Sequence, residues 1–93
     1  MTSGPVGATR TGVDVTIRYW ASARAAAGCD SERFAGRHVG DVLAAAAAAH
    51  TGLAAVLAVS TILLDGRPVT AADPLEASPA GIVLEVLPPF AGG

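Results

Sequence analysis

The sequence contains no lysine: its six basic residues, Arg10, Arg18, Arg24, Arg33, Arg37 and Arg67, are all arginines. That excludes a Schiff-base lysine and a P-loop lysine, and it leaves no lysine here to accept an isopeptide bond. Cysteine is almost missing as well. Cys29 stands alone, so no internal disulfide can form, and a reducing, cytoplasmic setting is expected. With no second cysteine, and no His or Asp arrangement visible to activate it, Cys29 reads as a small residue in a turn rather than a catalytic thiol. Nor is there an excess of one charge. A formal net charge of −2 over 93 residues offers no bulk attraction for a polyanion, and no nucleic-acid partner is expected.

A clean apolar run long enough to cross a membrane is also absent. The stretch from Val42 to Leu64 is broken by His50, Thr51, Gly52, Ser60 and Thr61, and much of its hydropathy comes from alanine. Residues 1–12, "MTSGPVGATRTG", lack the apolar core of a signal peptide and read as a disordered leader. What is left is one small domain, above the size at which a core usually needs a metal or a disulfide.

The remaining pattern is rich. Val13, Val15, Ile17 and Tyr19 alternate with Asp14, Thr16, Arg18 and Trp20, which predicts a strand with one buried face. "ASARAAAG" predicts a short helix ending at Gly28, and "SERFAGR" a brief second strand. In "VGDVLAAAAAAH", Val39, Val42, Leu43, Ala46 and His50 fall on one helical face, with Gly52 as the stop. His50 reads as a residue complementing the helix dipole or partly buried rather than as a metal ligand, and His38 has no partner at ligand spacing. "STILLDGRPV" predicts a hairpin around Asp65-Gly66, with Pro68 placing its second arm at an edge. "TAADPLEASPAG" is a loop, and "IVLEVL" a mostly apolar, central strand. A main helix across one face of a mixed sheet is an α+β layout. With the first and last strands adjacent in the middle, it is a β-grasp over residues 13–87.

Strand periodicity stops at Leu87. Pro88 and Pro89 cannot donate ladder hydrogen bonds and hold φ near −65°, so residues 88–93 are expected to leave the sheet as an extended arm. Phe90 adds one bulky apolar contact; Ala91, Gly92 and Gly93 are as slim as a chain can be. A terminal Gly-Gly by itself can simply fray. Following Pro-Pro-Phe-Ala and a core strand, it suggests an arm threaded into a slot of another protein, with the Gly93 carboxylate at its tip. ATP can turn such a carboxylate into an acyl-adenylate, and sulfur attack can turn that into a thiocarboxylate, a nucleophile on a tether.

Over roughly Val13 to Gly93 the chain resembles the ubiquitin-like sulfur carriers of the MoaD/ThiS family, most closely the MoaD branch, the small subunits of molybdopterin synthase. The most specific match is "LPPFAGG", supported by "YWASARAAAG", "VGDVLAAAAAAH" and "LLDGRPV". The resemblance implies a β-grasp domain with a flexible tail and two partners, an E1-like adenylating enzyme with its sulfurtransferase and the large synthase subunit. Gly93 would carry the adenylate and then the thiocarboxylate, and its sulfur would pass to a pyranopterin precursor of the molybdenum cofactor. Pro88, Pro89, Phe90, Ala91 and Gly92 would bind the partner. The family implies no bound cofactor and no metal, ATP being used by the activating enzyme, and no catalysis by the chain alone. The same tail fits a carrier for thiamine thiazole or cysteine synthesis, a ubiquitin-like protein modifier, or an interaction module with an inert tail. Two departures from the family pattern bear on surface contacts and not on the tail chemistry: Gly81 is followed by Ile82 and Val83, and Arg24 by Ala25.

Overall fold

The computed structural model describes residues 12–89. Eight elements run in the order β1 (Val13–Tyr19), α1 (Ala21–Ala27), β2 (Ser31–Gly36), α2 (Val39–Ala49), α3 (Leu53–Leu57), β3 (Thr61–Leu64), β4 (Arg67–Val69) and β5 (Val83–Leu87). The five strands form one mixed sheet in the order β2-β1-β5-β3-β4. β1 and β5 lie parallel at its centre, with Ile17 beside Leu84 and Tyr19 beside Val86. Every other pairing is antiparallel. This is the β-grasp arrangement.

Alternation along the strands decides which side is covered. Val15, Ile17 and Tyr19 of β1, Leu84 and Val86 of β5, and Ile62 and Leu64 of β3 face inward and are buried. Against them pack Ala23 and Ala27 of α1, Val39, Val42 and Ala46 of α2, and Leu53 of α3. Alanine is the functional choice at these helix positions: a side chain of one carbon lets the helix backbone approach the sheet without leaving a void. Asp14, Thr16, Arg18, Leu63, Glu85 and Leu87 point to the opposite face, where each is exposed or half-buried.

Local chemistry sets the element ends. Gly28 takes φ 75°, and its N–H reaches the Arg24 carbonyl at 2.8 Å, closing α1 as the sequence suggests. The Asp65-Gly66 turn has φ 48° and 88°, two positive angles in succession, which matches the twist of the β3–β4 hairpin. β4, with Pro68 inside it, is an outer strand, where a missing N–H costs no ladder bond. At the start of α2 the Asp41 carboxylate accepts hydrogen bonds from the His38 and Arg37 N–H groups at 2.9 and 3.0 Å.

Two features go beyond the sequence reading. The helical segment does not finish at Gly52: α3 follows it at once, and its Leu53 is fully buried. The loop 70–81 is pinned rather than free. Asp73 and Ala71 supply carbonyls to the N–H groups of Val39 and Gly40, both at 2.9 Å, satisfying donors that the first turn of α2 leaves unpaired. The Leu75 N–H reaches the Arg37 carbonyl at 2.9 Å, and its side chain closes the core beside α2.

Candidate functional site

The end of β5 is where the predicted arm begins. Leu87 lies opposite Thr61 of β3, and Pro88 and Pro89 follow as half-buried and exposed residues. Because β5 is the central strand, the chain leaves the sheet from its middle with paired strands on both sides. A rigid exit of that kind fixes the starting direction of whatever follows. Phe90, Ala91, Gly92 and Gly93 lie outside the described residues.

The parallel register brings the end of β1 to the same place. Tyr19 is level with Val86, so Trp20 comes next to the exit of β5. Trp20 is 40 % exposed, and the Arg18 guanidinium carbon sits 5.1 Å from its ring centroid. The cation holds the indole against the surface through the ring's negative face. Ala21, immediately after, adopts φ 49° in the left-handed region, which turns the chain sharply from β1 into α1 and leaves the indole at the corner. On the outer face Arg18 is aligned with Glu85, and Glu85 with Leu63 of β3. Half-buried Leu63 and Leu87 share this outer face with Arg18 and Glu85, near the root of the arm. This combination suits docking to a protein surface. It contains no nucleophile–base pair.

Pro88 and Pro89 are legible in the sequence as the start of the arm; the place of Trp20 beside them is not. The signal was present in the alternation, which puts Trp20 on the polar face of β1. Its meaning depends on β5 pairing with β1, with partners such as Tyr19 and Val86 nearly seventy residues apart in sequence.

A polar cluster lies beneath the same end of the sheet, on the inner side. The Tyr19 hydroxyl donates to Glu32 Oε1 at 2.8 Å, and His50 Nε2 lies 2.6 Å from the same oxygen. The Tyr19 and His50 rings meet edge to face with centroids 6.4 Å apart. Burial, and then the neighbouring Glu32 carboxylate, push the Tyr19 phenol well above its ordinary range. His50 at the end of α2 is partly buried, as its position in the helix pattern predicts. Cys29, half-buried in the turn after α1, completes the group, and its thiol is raised by desolvation and by Glu32 and Asp30.

No family model matches the chain, and no curated protein does. Solved structures do. A putative molybdopterin converting factor subunit 1 from Pyrococcus furiosus is 27% identical, with a TM-score of 0.72 over 85% of this chain and 100% of that one. SAMP1, the small archaeal modifier protein 1 of Haloferax volcanii, is 24% identical, with a TM-score of 0.73 over 86% of this chain and 99% of that one. In Helicobacter pylori, a protein–protein complex of subunits 1 and 2 of molybdopterin-converting factor gives 23% identity and a TM-score of 0.61 over 86% of this chain and 99% of that one. Among the described residues, no helix is long and apolar enough to cross a membrane.

Proposed function

We propose that this chain, a ubiquitin-like β-grasp protein of the MoaD/ThiS kind, is a sulfur carrier that acts as the small subunit of a molybdopterin synthase. One observation carries the reading. The central strand β5 delivers Pro88-Pro89 to a corner marked by Trp20, and the sequence continues there as Phe-Ala-Gly-Gly. A body, a rigid exit, a docking corner and a slim arm are what a tethered acyl group requires.

The chemistry resides in the main chain. The Gly93 carboxylate attacks the α-phosphorus of ATP in an E1-like enzyme, expelling pyrophosphate and forming an acyl-adenylate. A sulfide-level nucleophile supplied by a sulfurtransferase then displaces AMP, and one carboxylate oxygen is replaced by sulfur. The loaded arm enters the large synthase subunit. Phe90 fills an apolar pocket, while Ala91 and Gly92 pass where a larger side chain would clash. The thiocarboxylate sulfur bonds to the pyranopterin precursor, and water then cleaves the acyl–sulfur bond, leaving the sulfur on the pterin and regenerating the Gly93 carboxylate. The subunit 1–subunit 2 complex among the structural neighbours supports a large-subunit partner. The chain contributes no acid or base of its own; holding the reacting group at an effective concentration is its role.

A second reading is favoured by the likeness to SAMP1, whose name is that of a modifier protein. In that case Gly93 would be joined to lysines of other proteins. With no lysine in its own sequence, the chain could not build lysine-linked polymers of itself.

Intact-mass analysis separates the readings. Incubated with the adenylating enzyme, ATP and a sulfur source, the chain is expected to exchange one C-terminal oxygen for sulfur, and the loaded form to convert the pterin precursor when the large subunit is added. A chain that remains a plain acid would rule out the carrier. Higher-mass conjugates that vanish on deletion of Gly93 would establish the modifier instead.

A further inference from the structure

We propose that Cys29, Glu32 and His50 form a binding site for a zinc-class divalent cation, separate from the arm and its chemistry. The three residues come from different parts of the chain: the turn after α1, the start of β2 and the C-terminal boundary of α2. Folding brings one ligand atom from each to within 4.8 Å of the other two, and all three residues are half-buried.

The distances suit a small cation. Zinc bonds to sulfur at about 2.3 Å and to nitrogen or oxygen at about 2.0–2.1 Å, so tetrahedral geometry sets ligand atoms roughly 3.3–3.7 Å apart. The contact between His50 Nε2 and Glu32 Oε1, at 2.6 Å, is a hydrogen bond that must open by under about an ångström, a movement of side-chain tips. Cys29 Sγ already lies within 4.8 Å of both atoms. A thiolate, an imidazole and a carboxylate together favour zinc over magnesium or calcium, which take all-oxygen shells.

Charge points the same way. A cation with charge +2 bound by one thiolate and one carboxylate gives a neutral centre, which suits a half-buried position. Tyr19 supplies outer-shell support, because its hydroxyl, donating to Glu32 Oε1 at 2.8 Å, fixes the carboxylate's orientation. The rival use of these residues, an activated thiol nucleophile, fits less well. His50 directs Nε2 at Glu32, so the imidazole is engaged by the carboxylate rather than placed as a base for the thiol. Bound metal would tie the end of α2 to the α1–β2 turn and leave a fourth position for water.

The test uses untagged full-length protein under reducing conditions. Co²⁺ is expected to bind one per chain with a sulfur-to-metal charge-transfer band in the near ultraviolet, and Zn²⁺ to displace it and raise Tm. Cys29→Ser should abolish the band. Glu32→Gln and His50→Gln should each weaken Zn²⁺ binding at least about tenfold, with unchanged circular dichroism in the metal-free state, and Tyr19→Phe should weaken it less. Should a variant fail to fold, wild-type protein still decides: Zn²⁺ must protect Cys29 from alkylation. No charge-transfer band, no protection, or equal Zn²⁺ affinity in wild type, Cys29→Ser and His50→Gln would overturn the proposal.

Discussion

Replacing Trp20 with alanine tests the docking corner most directly. The indole is 40 % exposed. Taking a tryptophan surface of about 250 Å², roughly 100 Å² is free to be covered by a partner. At about 25 cal/mol per Å², complete coverage contributes at most ~2.5 kcal/mol. The ring face held by Arg18 is already occupied and does not count towards this. Trp20→Ala is therefore expected to weaken binding to the large subunit by about 1–2.5 kcal/mol, roughly five- to seventyfold in Kd. Trp20→Phe should fall between the two. Titration calorimetry with the large subunit measures the effect directly. The covered part of the ring also contributes to folding, so affinities must be compared well below the Tm of both proteins. Equal affinities for wild type and Trp20→Ala would show that the corner at the root of the arm does not touch the partner, and the docking argument would fail.

Other outcomes follow from the same structure. One alanine added after Gly93 should abolish thiocarboxylate formation, read by intact mass, while thermal unfolding changes little; a large fall in Tm would contradict an arm outside the core. Phe90→Ala should weaken large-subunit binding by about 1–3 kcal/mol through lost apolar burial, and unaltered affinity would remove Phe90 as an anchor. Leu53→Ala should destabilise the domain by about 2–5 kcal/mol in chemical denaturation, because a fully buried side chain of α3 is removed from between helices and sheet. Asp41 is held below its ordinary 3.8 by the His38 N–H first and the Arg37 N–H second. A depressed folded-state pKa contributes stability above the unfolded value that is lost as pH falls through the folded one. The stability difference between wild type and Asp41→Ala should therefore shrink as acid is added below about pH 3.8, measured as Tm against pH.

Much of the fold was legible from periodicity and turn chemistry. The alternation from Val13 to Tyr19, the positive-φ pair Asp65-Gly66 and the helical face of Val39, Val42 and Ala46 each report a local preference, and each element formed where predicted. Helix α3 was not foreseen, because five residues carry too little periodicity and Gly52 reads as an end. Leu75 in the proline-rich loop was not foreseen as core, since its burial depends on carbonyls of that loop reaching the first turn of α2. The polar cluster was invisible for the same kind of reason. Cys29, Glu32 and His50 have no motif spacing, and the contact between the last two spans eighteen residues.

Sequence alone determined most of the element types and the point where the last strand stops, because alternation, turn pairs and proline act through the backbone of neighbouring residues. Only the tertiary structure decided that β5 enters between β1 and β3, which puts Trp20 at the arm's root and gathers Cys29, Glu32 and His50 under the same end of the sheet. Contacts of that kind depend on which distant strands pair, and pairing is settled by burying the apolar face of every strand at once.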